Sequence, residues 1–388
     1  MERYCSIFSQ FLQFFPRLEF QNLVNQTKSH RHARGFSSWS QFVCMLFCQF
    51  GHAFSLREIS GGLRSCEGKL KHLGISAPAK SSLAYANEHR PWELYQLLFT
   101  KLFDRCQSQI NLGKRTFRFK NKLYSLDSTL IDLCLEVFDW AHYRRTKGAV
   151  KLHLLLDHDG YLPSFGIITE GKVSDVKTAW QFQLEPGTIV VDDRGYNDYE
   201  LFGRWTAAGI YFVTRMKANA VYEVIKQNPV NPGNDILADE IIELRGPGAF
   251  EKCPYKLRRI EFYNAEKREV LVFLTNHLKL SAMTIVAVYK ERWHIEIFFK
   301  FLKQNLKIKT FVGTSANAVK IQIWTALIAM LILRFLQLRS KYGWSLSNLV
   351  ALLRMNLFTH RNLWAWIDKP FEVLPAEYEG EQLELPIT

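Results

Sequence analysis

A change in hydrophobic pattern near residue 120 constrains the fold of this 388-residue chain more than any other feature. Before it, apolar residues recur at helical spacing, with a helix from Trp39 to about Gln49 and a short one over 55–66 broken at Gly61-Gly62. After it, apolar and β-branched runs predict three antiparallel strands at 123–131, 150–156 and 162–169, and helices then alternate with strands as far as residue 216. This order predicts an α/β protein in which a helical region precedes a mixed sheet.

The same pattern divides the chain into four regions. We expect a helical domain over 1–118 and an α/β domain assembled from 119–216 and 286–340. Residues 217–285 are polar, contain Pro and Gly, and include the strand candidates KLRRIEFYN and REVLVFLTN, so they predict a β-strand insertion. Residues 341–388 predict a C-terminal helical region that ends in an acidic tail.

The most apolar segment, Ile321 to Leu333, does not predict a membrane span. A membrane-crossing helix needs about 20 apolar residues, and this run is shorter and is followed by Arg334. We therefore expect a buried helix and no membrane contact. The seven cysteines form no CxxC pair and no Cys/His cluster with zinc-ligand spacing, and Cys44 and Cys48, one helical turn apart in an apolar segment, favour the core over a metal site. Scattered thiols of this kind favour the reducing cytoplasm.

Positive charge is concentrated in the first third of the chain. The net charge is +13, and residues 1–120 contain 17 Lys and Arg against 7 Asp and Glu. A basic helical region of this kind indicates a polyanionic partner, most simply DNA. A generic basic surface that serves solubility explains the charge equally well at this stage. Short helices with Gly turns suit a helix-turn-helix-like reader of DNA, although any small helical bundle has the same pattern.

One run near the C-terminal end of the α/β region, YKERWHIEIFFKFLK, carries chemically suggestive residues. Tyr289, Arg292, Glu296 and Lys303 follow one another as Tyr-x2-Arg-x3-Glu-x6-Lys. On one continuous helix these positions and Lys300 share a wedge about 80° wide. A carboxylate among such cations suits a group that holds a metal ion while its neighbours grip phosphates. A solvated helix face, with Glu296 paired to Arg292 and Lys300, is the alternative.

Two aspartates upstream favour the metal interpretation. Asp127 lies within an apolar strand, where an unpaired carboxylate is costly to bury. Asp193 ends the strand TIVVDD, directly before Arg194-Gly195-Tyr196, and strand ends carry reactive groups in α/β sheets. With Glu296 they form three hard oxygen ligands suited to Mg²⁺. Two such ions can activate a water or hydroxyl and stabilise the leaving oxygen in phosphoryl transfer.

These three motifs resemble the IS-four family of bacterial insertion-sequence transposases. The resemblance covers about residues 120–340 and rests on Asp127-Ser128-Thr129, on Asp193-Arg194-Gly195-Tyr196 and on the Tyr289, Arg292, Glu296 and Lys303 spacing. It implies an RNase H-like fold interrupted by a β-strand insertion and preceded by a helical DNA-binding domain. It also implies a cut-and-paste transposase that binds terminal inverted repeats, cuts them and joins the free ends to target DNA.

The resemblance further implies a role for each matching residue. Asp127, Asp193 and Glu296 would be the catalytic, metal-binding DDE triad, with Mg²⁺ as the cofactor and Mn²⁺ as an expected substitute. The DNA-binding residues would be Tyr289, Arg292, Lys300 and Lys303, which would hold phosphates near the cut. The partners would be double-stranded DNA, as inverted repeats and target, and a second copy of the chain in a homodimer. The location would be the bacterial cytoplasm, at the nucleoid.

Two other functions remain open from the sequence alone. One is a DNA-binding protein, inactive or domesticated, that keeps the fold and no longer cuts. The other is an RNase H-like nuclease that does not transpose. Intact acidic motifs argue against the first, and the basic helical region argues against the second.

Overall fold

The computed structural model describes residues 5–31, 33, 35–109, 117–144, 147–231 and 233–372. Within these residues it contains one ten-stranded mixed sheet and fifteen α-helices. The N-terminal helices are α1 Ile7–Leu12, α2 Arg17–Thr27, α3 Ser38–Phe50, α4 Leu56–Ser65, α5 Glu67–Leu70, α6 Lys80–His89 and α7 Glu93–Gln109. The later helices are α8 Asp175–Ala179, α9 Tyr199–Ala207, α10 Ala249–Lys252, α11 Ala282–Glu291, α12 Trp293–Asn305, α13 Ala316–Arg339, α14 Leu346–Asn356 and α15 Leu363–Asp368.

The strands of the sheet are β1 Leu123–Leu133, β2 His142–Arg144, β3 Lys147–Asp157, β4 Leu162–Glu170, β5 Ile189–Val191, β6 Tyr211–Arg215, β7 Tyr222–Gln227, β8 Ile236–Leu244, β9 Leu257–Asn264 and β10 Glu269–Thr275. Four strands, one more than the sequence predicts, precede α8, and β5 and β6 then alternate with helices as predicted. The mixed α/β sheet is confirmed. The acidic tail predicted at the C-terminal end falls mostly outside the described residues, which reach Glu372.

Local sequence signals account for the ends of the N-terminal helices. The hydroxyl oxygens of Ser37 and Ser55 accept backbone hydrogen bonds at the start of α3 and α4, as expected of N-cap serines. The break predicted at Gly61-Gly62 is wrong, because α4 continues through both glycines. A side chain at Gly62 would come within 3.1 Å of the Phe47 ring, so glycine permits close packing of α4 on α3.

The sheet places three strands in parallel at its centre. β1 pairs antiparallel with β3, and β3 pairs antiparallel with β4. On its other side β1 is parallel to β5, which is parallel to β6. The carboxyl ends of β1, β5 and β6 therefore lie at one edge, where α/β sheets place their functional groups.

The four strands between residues 217 and 285 continue the same sheet. β10 pairs antiparallel with β6, and the order then runs through β9 and β8 to β7. A buried ion pair joins two of these strands, with Arg258 Nη2 2.6 Å from Asp239 Oδ2. The polar segment thus forms an antiparallel extension of the sheet on the far side of β6.

The N-terminal helices share one hydrophobic core with the C-terminal helices and with β1 and β3. The centre of this core is α13, which packs on α3, α6 and α7. α13 is long and apolar enough to cross a membrane, but 89% of its most apolar 18-residue stretch is buried inside the protein. The predicted buried helix is confirmed.

Candidate active site

Strand register brings Asp127 and Asp193 to the same edge of the sheet. Ser125 of β1 lies beside Val191 of β5 in the parallel pair, and each aspartate follows its strand partner by two residues. Asp127 remains within β1, whereas Asp193 begins the short 3-10 turn of Arg194–Tyr196. The fold therefore places two carboxylates side by side just beyond the point where the parallel pairing of β1 with β5 ends.

Glu296 reaches this edge from the helices that cover it. It lies in the first turn of α12, whose residues contact β1. The single continuous helix that the sequence predicts is wrong, because α11 ends at Glu291 and α12 begins at Trp293. At this junction the backbone N–H of Arg292 bonds to the carbonyl of Tyr289, and that of Ile295 bonds to Arg292. These three-residue hydrogen bonds tighten the turn locally.

The Arg292 guanidinium lies between two of the predicted catalytic carboxylates. Its Nη2 is 2.6 Å from Glu296 Oε1, and its Nη1 is 3.4 Å from Asp127 Oδ2. Its centre lies 5.8 Å from the centre of the Tyr289 ring. A solvated helix face would account for the pair with Glu296, but it would not account for the contact with a residue of the central strand.

The pKa of Asp127 reflects this crowding. Burial first, and then the nearby carboxylates of Asp193 and Glu296, raise this pKa to about 7, against the opposing effects of the Ser128 N–H and Arg292. Only 17% of the Asp127 side chain is exposed. Negative charge is thus costly at this position, and a cation that joined Arg292 would reduce the cost.

The two adjacent aspartates at the end of β5 have different environments. Asp193 is half-buried, and its Oδ1 accepts a 2.7 Å hydrogen bond from the N–H of Gly195. Asp192 is fully buried, and neither of its carboxylate oxygens has a hydrogen-bond partner. The Thr214 hydroxyl donates instead to the Asp193 carbonyl. Burial raises the pKa of Asp192 well above its usual value. Asp193 is therefore the aspartate of this pair with access to the site.

The two predicted phosphate-binding lysines lie further along α12. Lys300 is exposed, one turn after Glu296. Lys303 is half-buried, and burial lowers its pKa although the nearby Asp132 opposes that effect. Trp293, which the sequence argument did not single out, directly follows Arg292 and exposes 60% of its side chain. This exposed tryptophan, next to Arg292 in sequence, offers an aromatic face at the start of α12.

A second network, of hydrogen bonds and an ion pair, links Asp127 through Ser128 to Asp175 and was not predicted from the sequence. The Ser128 backbone N–H bonds to Asp127 Oδ1 at 2.7 Å, while its hydroxyl donates to Asp175 Oδ1 at 2.7 Å. Lys151 lies 3.3 Å from the same Asp175 oxygen. Ser128 thus joins Asp127 to Asp175 through its backbone N–H and its hydroxyl. The only sequence signal for Asp175 was its position at a helix start.

On the expectation that Asp127 ligates a metal ion in a DNA-cutting site, Asp175→Asn should slow strand cleavage about 10- to 100-fold while leaving DNA affinity unchanged, as is usual when a partner that orients a metal ligand is lost. The amide removes the charge that fixes Lys151 and Ser128 behind Asp127. Single-turnover cleavage rates and end-DNA affinity would be measured for this variant. Asp139→Asn, at an exposed aspartate, is the control. A wild-type rate for Asp175→Asn would mean that the network has no influence on Asp127.

The carboxylates fit Mg²⁺ by chemistry more than by their present spacing. Across the described ranges, no group of three His, Cys, Asp or Glu side chains is placed to hold a metal ion. Mg²⁺ in phosphoryl-transfer sites usually takes one or two carboxylates together with substrate phosphates and water. A Mg²⁺ ion bound in this way would take two of these carboxylates. The Arg292 guanidinium would have to release Asp127 or Glu296 to make one of them available.

Comparison with known proteins places this site in a family. Residues 118–332 match the model described as a transposase DDE domain, and residues 4–76 match a domain of unknown function (DUF4372). The first match spans more than half of the chain and includes all three carboxylates. The chain belongs to the transposase DDE domain family.

More particularly, it is a DDE transposase of the insertion-sequence type. It is 31% identical over 307 residues to the "Putative transposase y4zB" of Sinorhizobium fredii, across 77% of this chain and 83% of that one. It is 29% identical over 253 residues to the "Probable transposase for insertion sequence element IS5377" of Geobacillus stearothermophilus, across 65% of each chain. A solved piggyBac transposase synaptic complex with hairpin DNA is similar at 10% identity and a TM-score of 0.44, across 97% of this chain and 84% of that one.

Proposed function

We propose that this chain is a cut-and-paste transposase of the IS-four family that uses Asp127, Asp193 and Glu296 as a Mg²⁺-binding triad. The contacts of Arg292 with Asp127 and Glu296, at the sheet edge where Asp193 also lies, carry the proposal. Residues 165 positions apart in sequence, Asp127 and Arg292, meet there. A convergence of buried charge at a sheet edge is characteristic of a functional site.

An RNase H-like fold is part of this proposal. The antiparallel arrangement of β1, β3 and β4, beside the parallel strands β5 and β6, supports it. The strands β7 to β10 would then be the family's β-strand insertion, and the N-terminal helices would form the end-binding region.

The three carboxylates would hold the divalent ions together with DNA phosphates and water. When bound, Mg²⁺ would activate the attacking water or 3′-hydroxyl and stabilise the leaving oxygen. The raised pKa of Asp127 fits this role, because a buried carboxylate gains most from a bound cation. Arg292 would exchange its contact with Asp127 for a DNA phosphate, which a guanidinium binds through two parallel hydrogen bonds.

The surrounding side chains would position the DNA. Lys300 and Lys303 would contact phosphates along α12, and Tyr289 would hold Arg292 in place from α11. Trp293 offers its exposed face to a base displaced from the duplex, as a sharply bent DNA end requires. These contacts would fix the scissile phosphate against the carboxylates.

The partners in this proposal are double-stranded inverted repeats, target DNA and a second copy of the chain. Two ends must be brought together before an element can move, which is the reason for a homodimer. The reaction would take place in the bacterial cytoplasm, at the nucleoid.

A cleavage assay tests the proposed function. Purified full-length chain would be incubated with a duplex that carries the terminal repeat of its own insertion sequence, and products would be separated under denaturing conditions. We expect Mg²⁺-dependent cuts at the repeat boundary that leave 3′-hydroxyl ends, and none in EDTA. Binding of the repeat without cleavage would favour an inactive DNA-binding protein, and degradation without regard to sequence would favour a plain nuclease.

We expect Lys303→Ala to weaken binding of the end duplex and to reduce the slope of log affinity against log salt by about 1, as loss of one phosphate contact does. Fluorescence anisotropy at several NaCl concentrations would measure this slope. Lys341→Ala, at an exposed position outside the site, is the matched control. An unchanged slope for Lys303→Ala would exclude a phosphate contact at that residue.

A further inference from the structure

A basic cleft between the end of α2 and α6 lies in the region that matches a domain of unknown function and continues beyond it. We call it the α2–α6 cleft. Its volume is about 860 Å³, and its lining includes Lys28, Arg31, Ser81, Ser82, Tyr85 and His89. Among the described residues that line it there is no Asp or Glu. The segment that follows α2 reads KSHRHAR over 28–34, which contains three basic residues, two histidines and no acid.

The backbone at Lys28 points to a use for its side chain. Lys28 ends α2 in the left-handed conformation, with φ 55° and ψ 27°. Gly or Asn usually occupies this position, because a larger side chain is strained there. A strained residue that is exposed and charged is a reason to look for a function. A lysine near a helix C-terminus also interacts favourably with the helix dipole. The residues that line the cleft decide between this structural role of Lys28 and a role in binding.

The other wall of the cleft offers neutral hydrogen-bond donors and an aromatic surface. Ser81 and Ser82 lie in the first turn of α6, which begins without a side-chain cap. Tyr85 stacks on His89 with ring centres 4.0 Å apart, and 63% of Tyr85 is exposed. Arg90 is used differently, because its guanidinium bonds to Gln41 and to the Phe36 carbonyl. Arg90 therefore stabilises this wall through hydrogen bonds to the protein.

We propose that the α2–α6 cleft binds the sugar-phosphate backbone of double-stranded DNA at the ends of the element. This inference rests on the proposed function and names the surface through which the N-terminal region would act. Lys28 and Arg31 supply the charge, and the serine hydroxyls are donors of the kind that bind phosphate oxygens. The absence of acidic residues from the described lining makes the surface complementary to a polyanion and to no cationic partner.

The test uses the full-length double variant Lys28→Asn/Arg31→Gln, which removes two charges and places at position 28 a residue that accepts the left-handed conformation. The probe is a fluorescein-labelled duplex of the element's terminal repeat, titrated at several NaCl concentrations. We expect affinity to fall at least about 10-fold and the salt slope to decrease by about 2. We also expect the thermal midpoint to stay the same or rise, because Asn relieves strain at position 28.

The matched control is Lys69→Gln/Lys71→Gln, which removes two exposed charges of the same region outside the cleft lining. Equal losses of affinity in both double variants would show a general charge effect and overturn the proposal, as would unchanged affinity in the Lys28/Arg31 variant. The wild-type chain is assayed for Mg²⁺-dependent cleavage in the same experiment. If the wild type cuts its end duplex but the Lys28/Arg31 variant binds it as tightly as the Lys69/Lys71 variant does, the cleft assignment fails and the proposed function stands. If the wild type neither binds nor cuts, the proposed function itself fails.

Discussion

Replacing any one of Asp127, Asp193 and Glu296 with its amide is expected to lower the rate of strand cleavage at least about 10³-fold, because each amide would remove an anionic ligand from the proposed Mg²⁺ site, which two-metal phosphoryl transfer requires. The binding of end DNA should remain within about 3-fold of wild type, since none of these side chains is expected to supply favourable charge to a phosphate. Single-turnover cleavage and anisotropy binding would be measured on the same preparations.

Asp139→Asn is the control for this series, since Asp139 is an exposed aspartate of the α/β region that lies outside the site. It should cut at the wild-type rate. Wild-type Mg²⁺-dependent cleavage by any one of the three amide variants would remove that residue from the triad. A loss of cleavage that came with a loss of folding would appear as a lowered thermal midpoint, and Glu296→Asp would then be used to change reach without removing charge.

Asp127→Asn is also expected to make the metal-free protein more stable at pH 8. The pKa of Asp127 is raised to about 7 by burial and by neighbouring carboxylates, whereas an unfolded aspartate titrates near 4. The folded chain therefore holds this proton more tightly than the unfolded chain does. Stability from the neutral form is present below about pH 4 and is lost as pH rises through about 7. At pH 8 the gain from Asn could reach at most about 4 kcal/mol.

Urea unfolding in EDTA across this pH range measures the effect. The difference in the free energy of unfolding between Asp127→Asn and wild type should be largest at pH 8 and should disappear near pH 4. Asp139→Asn should show no such difference. A variant less stable than wild type at pH 8 would mean that the contact with Arg292 outweighs the cost of burying the Asp127 charge.

Much of the site could be predicted because the residue type and its position within or at the end of a strand are both visible in the sequence. A lone Asp in an apolar strand and an Asp at a strand end are visible without a structure. The parallel pairing of β1 with β5 is not, because β2, β3, β4 and α8 lie between them in the chain, so the register that sets Asp127 beside Asp193 depends on contacts between distant segments. The caps of α3 and α4, by contrast, depend only on residues within one turn of each other.

Features that depend on packing between distant segments could not be predicted. The contact of Arg292 with Asp127 joins two elements 165 residues apart, and helical spacing shows only its pair with Glu296. The link from Asp175 to Ser128 requires α8 to lie against β1. Gly62 reads as a helix breaker unless the neighbouring Phe47 ring is known to need the space.

Anomalous diffraction from Mn²⁺ in crystals of the chain bound to its end duplex tests the central claim most directly. We predict a peak in contact with Asp127 and with at least one of Asp193 and Glu296, with the Arg292 guanidinium moved onto a DNA phosphate. A Mn²⁺ peak elsewhere on the DNA-bound protein, with Arg292 still joining Asp127 to Glu296, would contradict the account.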